Sequence, residues 1–130
     1  YGPYAHNLNK VLEILEGHHI RGYGDTQKPD VEITLLLDAD KAADHFLQKN
    51  QSAAGHLERV ADLVDGFETP YGMELLASVH WSVVHDGEVS DAESAVAAMA
   101  RWNDRKRRLF KPAHIRLAWE RLQAEGWIKV

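Results

Sequence analysis

Histidine is a residue type with catalytic and metal-binding potential, and this 130-residue chain has eight histidines and no cysteine. The lack of thiols excludes disulfides and cysteine nucleophiles. A zinc site needs three or four convergent ligands, but His18 and His19 are adjacent and point to opposite faces of an extended segment. His80 and His85 are five residues apart, which suits a helix face poorly. We therefore expect no metal and no other cofactor.

Catalytic motifs are also missing from the sequence. It has no G-x-S-x-G, H-E-x-x-H or P-loop pattern, and Gly22-Tyr23-Gly24 is too short for a phosphate-binding loop. We therefore expect that the chain is not an enzyme. A small hydrolase that uses the histidines is kept as a third hypothesis.

Acidic residues are concentrated in the first half of the chain. Residues 1–68 contain 12 Asp and Glu against 6 Lys and Arg, whereas residues 69–130 contain 8 against 9. An acidic surface opposes phosphate binding and favours a basic partner. The alternative is a solvated surface whose charge only keeps the protein soluble.

A hydrophobic segment over residues 69–85 is predicted to form the central helix of the core. Thr69 is a typical N-cap, and Pro70 suits the first helical position. Apolar side chains cover nearly the whole circumference, as in a helix that is buried on several sides. Trp81 is expected to be buried there. The segment is too short and too polar to span a bilayer.

Before this segment, Pro3 is predicted to open a first helix, in which Leu8, Val11, Leu12 and Leu15 lie at helical spacing and which ends at Gly17. Residues 18–30 read as a short extended piece and a loop, because they are rich in turn formers. Alternation over residues 31–37 predicts a strand with its odd-numbered residues facing inward.

Two further helices are predicted between this strand and the central helix. Asp38 or Asp40 is expected to cap the first of them. Residues 49–55 are predicted to form a polar loop, and a helix over residues 57–65 follows, with one apolar and one acidic side.

The segment after the central helix is predicted to contain two helices and a strand. Ser90 and Glu93 form an S-x-x-E capping box, which predicts a helix that continues to the basic run 105–108. Pro112 begins the last helix, and a short edge strand is expected over 127–130. The inward residues of the last helix are predicted to be Ile115, Ala118, Trp119 and Leu122.

The order of these elements outlines a winged helix, which gives a second hypothesis of nucleic-acid binding. In that case the exposed face of the last helix reads DNA. That face carries His114, Arg116, Arg121 and Gln123, diluted by Glu120 and Glu125. The fold class predicted overall is mainly α with a minor β element (α+β), as one domain over residues 1–130 with a winged-helix-like C-terminal half.

Three segments carry a resemblance to a known family: YGPYAHNLNKVLEILEGHHIRGYGD (1–25), FETPYGMELLASVHW (67–81) and FKPAHIRLAWERLQAEGW (110–127). Together they make the chain similar to the C-terminal domain of DarG-type antitoxins. The resemblance implies a domain that binds the toxin DarT, which ADP-ribosylates thymidine bases in single-stranded DNA. The family's N-terminal macrodomain, which removes ADP-ribose from DNA, is absent here, so its hydrolase activity is expected to be absent too.

We interpret the acidic and aromatic residues as a mimic of single-stranded DNA that blocks the DNA-binding groove of the toxin. An apolar, shape-matched interface is the alternative, with charge only accelerating association. The candidate toxin-binding residues are His18, His19, Arg21, Tyr23, Asp25, Glu58, Asp62, Asp65, Glu68 and Tyr71.

The resemblance also implies the setting of the domain. We expect a DarT-like toxin as its protein partner, bound 1:1 by a domain that is monomeric alone. Direct nucleic-acid binding and membrane association are not expected, and the expected compartment is the cytoplasm. Because the chain begins at Tyr1, we expect it to be a fragment of a longer protein.

Overall fold

Seven helices and two short strands form the described part of the computed structural model, residues 2–24 and 31–129. In chain order they are α1 (Leu8–Leu15), β1 (Ile20–Arg21), β2 (Thr34–Leu35), α2 (Ala39–Lys49), α3 (Gln51–Val64), α4 (Pro70–His85), α5 (Ala92–Trp102), α6 (Asp104–Leu109) and α7 (Pro112–Ala124). This confirms a mainly helical fold with a minor β element. The chain divides into one unit of residues 4–56 and another of residues 57–130 with residues 1–3. The assignment to one domain stays a prediction.

Helix α4 is the central element of the unit 57–130, as predicted. The Thr69 hydroxyl accepts a hydrogen bond from the Gly72 N–H at 2.9 Å, and so caps the helix. Leu75, Leu76 and Val79 are buried against the rest of the unit. None of the helices in the described ranges combines the length and the apolar character needed to cross a membrane.

The expectation that Trp81 is buried is wrong in degree. Its ring is only half-buried and lies against His85, with ring centroids 3.8 Å apart. Met73 and Val84 are exposed on the same helix, so α4 is not buried all round. Its small buried residues Ser78 and Ser82 face the core instead.

Helices α5 and α7 pack against α4, and the predicted inward residues of α7 are all buried. The strand expected over 127–130 does not form in its described part, residues 127–129. Gly126 adopts a φ of +74°, and this left-handed turn lets the Trp127 N–H donate to the Leu122 carbonyl at 2.8 Å. Ile128 is thereby buried in the helical core rather than at a sheet edge.

The predicted capping box at Ser90 and Glu93 is wrong by one residue. Asp91 is the N-cap, and its carboxylate accepts from the Ser94 N–H at 2.7 Å. The Ser94 hydroxyl in turn accepts from the Asp91 N–H at 3.0 Å. Aspartate caps a helix as well as serine does, so the sequence offered two overlapping caps.

The single helix predicted to continue to the basic run is divided in two. Asn103 has an extended backbone, and its side chain accepts from the Lys106 N–H at 2.8 Å. It therefore ends α5 and caps α6, as asparagine commonly does.

The unit 4–56 contains less β structure than the sequence predicted. Helix α1 forms but begins at Leu8 rather than at Pro3, and in the segment 31–37 only Thr34 and Leu35 form a strand, antiparallel to β1. Leu35 and Leu37, which were expected to face inward, are 69% and 93% exposed. The alternation identified an extended chain, but a two-residue partner strand cannot continue the ladder.

The polar loop predicted over 49–55 is also wrong, because α3 begins at Gln51. Only Asn50 interrupts the helical backbone, and its carbonyl accepts from the Ala54 N–H at 3.0 Å. Asp38 occupies the N-cap position of α2, but its side chain makes no capping bond. Asp40 lies within the first turn of that helix.

A buried lysine connects α6 to α4. The Lys106 ammonium is within 3.0 Å of the Ser78 hydroxyl and 3.2 Å of the Glu74 carboxylate, and it lies 4.5 Å from the centroid of the Trp102 ring. Hydrogen bonds from Arg105 and Lys106 lower the pKa of Glu74 from 4.5 to about 2. The ionised Glu74 therefore stabilises the fold above pH 4.5, and this contribution is lost as the pH falls toward 2.

We predict that Glu74→Gln destabilises the domain by about 2 kcal/mol at neutral pH, because it leaves the Lys106 ammonium without its counter-charge. The partial exposure of Glu74 keeps the loss below that of a fully buried pair. The variant should also lose less stability than wild type between pH 4.5 and 2. Urea denaturation at several pH values measures both.

Glu93→Gln, which removes an exposed pair with Arg116, is the control and should change stability little. Parallel pH profiles of Glu74→Gln and wild type would contradict the prediction.

Candidate functional site

Four exposed carboxylates follow one another along the end of α3 and the connection to α4. Glu58, Asp62 and Asp65 are four and three residues apart, so they share one side of the helix and its continuation. Glu68 lies in the connection, where its carboxylate accepts from the Gly66 N–H at 2.8 Å. None of the four forms an ion pair with any described residue. We call these four residues the acidic edge.

A groove of about 560 Å³ lies beside the acidic edge, between the start of α4 and helix α7. Its apolar lining includes Phe67, Tyr71 and Leu75, with Leu117 on the α7 side. Asp65 and Glu120 contribute carboxylates to the same lining. We call this cavity the α4–α7 groove.

Arg121 fixes the end of α3 to α7. Its Nη1 donates to the backbone carbonyls of Asp62, Leu63 and Asp65 at 3.2, 3.1 and 2.6 Å. These carbonyls have no partner within the helix, since a helix leaves its last four unpaired. The guanidinium also lies 5.3 Å from the centroid of the Phe67 ring. Its charge is thus directed to backbone oxygens, and the carboxylates of the acidic edge stay uncompensated.

Tyr71 joins α4 to the start of α7. Its hydroxyl accepts from the Lys111 N–H at 3.4 Å and lies 2.8 Å from His114 Nδ1. The donor in the bond between the Tyr71 hydroxyl and Nδ1 depends on the tautomer of His114, because a tyrosine hydroxyl can both donate and accept. The Tyr71 ring also contacts Phe110 edge-on, with centroids 5.7 Å apart. This candidate residue is half-buried, so its ring serves as a wall of the groove.

The remaining candidate residues belong to the unit 4–56. His18, His19 and Arg21 are exposed, and Tyr23 is half-buried. Asp25 lies outside the described residues. The structure therefore brings Asp65 and Tyr71 together in the groove, while residues 18–23 form a separate set in the other unit.

The Glu16 carboxylate organises this second set. It accepts from the N–H groups of Gly22 and Tyr23 at 3.2 and 3.0 Å. Gly22 has a φ of +112°, and a Cβ there would collide with the Glu32 carbonyl. Intramolecular packing thus explains why glycine is required at position 22.

The basic residues on which the DNA-reading hypothesis depends are largely engaged within the unit. Arg121 binds the end of α3, and Arg116 Nε donates to the Glu93 carboxylate at 2.6 Å. His114 bonds to Tyr71. The last helix consequently presents few unpaired cations, and it lacks the wing strand over residues 127–129.

Within the residues that the structure describes, no three His, Cys, Asp or Glu side chains are grouped to hold a metal ion. The residues that sequence reasoning did not include in the site are Phe67, Leu117, Glu120 and Arg121. All four lie in or beside the two segments, 67–81 and 110–127, that carry the family resemblance. The family resemblance thus covered these residues, but nothing in the sequence indicated that the two segments face each other.

No family model matches the chain. Curated relatives do: a protein named DNA ADP-ribosyl glycohydrolase from Thermus aquaticus is 43% identical over 99% of the chain. Proteins of the same name from Mycobacterium bovis and Mycobacterium tuberculosis are 36% identical over 94% of it. The resemblance to the DarG family is confirmed. The chain spans about a third of the length of these relatives, 35% and 36%.

We predict that Tyr71→Phe lowers stability by about 1 kcal/mol, because it leaves His114 Nδ1 and the Lys111 N–H without their partner. Tyr4→Phe is the matched control, since Tyr4 is 79% exposed and its hydroxyl makes no hydrogen bond to a described residue. Thermal unfolding of the two variants should separate them clearly. Equal midpoints would mean that the Tyr71 hydroxyl does not stabilise the α4–α7 packing.

Proposed function

We propose that this chain is the toxin-binding part of a DarG-type antitoxin, and that it neutralises a DarT-like DNA ADP-ribosyltransferase by covering its single-stranded DNA-binding groove. The observation that carries the proposal is the acidic edge. Its four carboxylates are exposed and form no ion pair with a described residue. They lie beside a groove with aromatic walls. The relatives, whose name refers to ADP-ribosylated DNA, support the same function.

The physical argument begins with the toxin. A protein that binds single-stranded DNA does so with a positively charged groove and aromatic stacking surfaces. Glu58 and Asp62 are separated by one helical turn, about 6 Å along the axis. Negative charges repeated along a rigid helix can occupy positions that DNA phosphates would otherwise take. The helix holds them there before binding, so little entropy is lost when the complex forms.

Aromatic residues provide the second part of the mimic in this proposal. Tyr23, His18 and His19 offer rings on the unit 4–56, and Tyr71 offers one on the unit 57–130. Such rings can stack in the toxin where bases stack. Tyr71 is half-buried like Tyr23, and its hydroxyl is engaged with His114.

The proposal assigns no chemistry to this chain. The glycohydrolase activity named in the relatives belongs, in our proposal, to the two thirds of their length that this chain does not match. We further propose a 1:1 complex with the toxin in the cytoplasm, and a domain that binds no DNA of its own. A gel-shift assay of the chain with single- and double-stranded DNA tests the last point, and retention of either DNA would favour the winged-helix hypothesis.

We predict that the double variant Glu58→Lys/Asp62→Lys weakens toxin binding roughly a hundredfold at low salt, because two cations then face a basic groove. The loss should shrink at high salt, where such charges are screened. Titration calorimetry with a non-toxic form of the toxin, at two salt concentrations, measures both effects.

The control Glu88→Lys/Glu125→Lys makes the same change in net charge elsewhere in the same unit, at two exposed carboxylates that form no ion pair with a described residue. It should bind nearly as wild type does, and both double variants should melt close to wild type. If the two double variants lose affinity equally, only the net charge matters and the acidic edge is not a specific contact. If the wild-type chain does not bind the toxin at all, the proposed function is wrong.

We predict that Tyr23→Ala with Asp25→Ala lowers affinity by about 2 kcal/mol, mainly through faster dissociation. Tyr4→Ala, which removes an exposed ring from the same unit, is the control. Surface plasmon resonance separates the two rate constants. A wild-type dissociation rate in the double variant would remove this segment from the interface.

A further inference from the structure

The α4–α7 groove has the dimensions of a binding site. Its volume of about 560 Å³ lies within the range of pockets that hold ligands or partner side chains, about 300–1,000 Å³. Leu75 is buried in its lining, whereas Leu117 is 55% exposed. An exposed leucine facing a half-buried Phe67 and Tyr71 leaves apolar surface that a partner can cover.

The acidic and basic groups of the groove differ in whether they are available to a ligand. The two carboxylates, Asp65 and Glu120, are exposed and form no ion pair with a described residue. The cation of the lining, Arg121, already donates to three backbone carbonyls. The groove therefore offers negative charge to a ligand and keeps its positive charge for the fold.

The neutral polar groups of the groove are also engaged. The Tyr71 hydroxyl is bonded to His114 and Lys111, and the Thr69 hydroxyl accepts from Gly72. A neutral polar ligand would consequently find few free partners there. A long side chain with an apolar stem and a cationic end matches both properties, since its stem covers apolar surface while its head reaches a carboxylate.

We propose that the α4–α7 groove binds an arginine or lysine side chain of the toxin, taken from the rim of the toxin's DNA-binding surface. This rests on the proposed function and adds to it an anchor site that shares only Asp65 with the acidic edge. Phosphate-bearing ligands are disfavoured because the carboxylates repel them. A second copy of the chain is disfavoured because its net charge of −5 opposes self-association.

The test uses one apolar and one acidic variant of the groove, Leu117→Ser and Glu120→Gln. Both side chains are exposed, so the fold should tolerate the changes, and thermal melts check this. The matched controls are Val84→Ser, at an exposed position of α4 that does not line the groove, and Glu88→Gln. Each variant is titrated with a non-toxic form of the toxin at two salt concentrations.

We expect each groove variant to bind roughly tenfold or more weakly than wild type, as for anchor residues of an interface. Glu120→Gln should also reduce the salt dependence of binding, while Leu117→Ser should leave it unchanged. Both controls should bind as wild type does. This pattern indicates a ligand with an apolar stem and a charged head.

Four outcomes overturn the inference. If both groove variants bind as wild type does, the groove is outside the interface, although the proposed function stands. If only Glu120→Gln weakens binding, the carboxylate acts from a distance and nothing enters the groove. If wild type self-associates in sedimentation and Leu117→Ser does not, the occupant is a second copy. Failure of wild type to bind the toxin would refute the proposed function and the inference together.

Discussion

The contact of Arg121 with the end of α3 determines the geometry of the candidate site. One guanidinium nitrogen satisfies three carbonyls that the helix itself leaves unpaired. The consequence is structural and electrostatic at once, because the same contact fixes the backbone of Asp62 and Asp65 beside α7 and engages the Arg121 cation. Without it, a salt bridge from Arg121 to these carboxylates would neutralise part of the acidic edge. Arg121 is thus hydrogen-bonded to backbone carbonyls, and the acidic side chains stay available to a partner.

The sequence predicted elements well where one physical signal dominated. Periodicity located α4 and α7, because their apolar residues are numerous and their starts are marked by the Thr69 cap and by Pro112 at the first helical position. It failed where two signals competed over one or two residues. Asp91 and Ser90 both suit an N-cap, and the reciprocal hydrogen bonds between Asp91 and Ser94 place the cap at Asp91. The strand at the C-terminus failed for a different reason, since Gly126 turns the chain back on α7 and Ile128 completes a helical core.

The site was less predictable than the fold, because its parts are distant in sequence. The carboxylates at positions 58, 62 and 65 follow from helical spacing alone, and the structure places them on an exposed helix side. The groove does not follow from any local pattern. It depends on the hydrogen bond between Tyr71 and His114 and on Arg121 reaching α3, contacts that join residues 43 and 56 or more positions apart. The composition indicated that this chain has an acidic surface for a partner, but only these long-range contacts define the shape of that surface.

The two units differ in stability, and this difference affects what each can contribute to binding. In the unit 57–130, a contiguous core includes Leu75, Val79 and Trp119. In the described residues of the unit 4–56, the buried apolar residues are Ile20 and Ala39, while Ile14 and Phe46 are 73% and 59% exposed. A segment with so little buried apolar area has a low free energy of local opening. In the proposed complex, contacts made by residues 18–23 would offset an ordering cost that contacts on α3 and α7 do not carry, so the unit 57–130 would be the more efficient source of affinity.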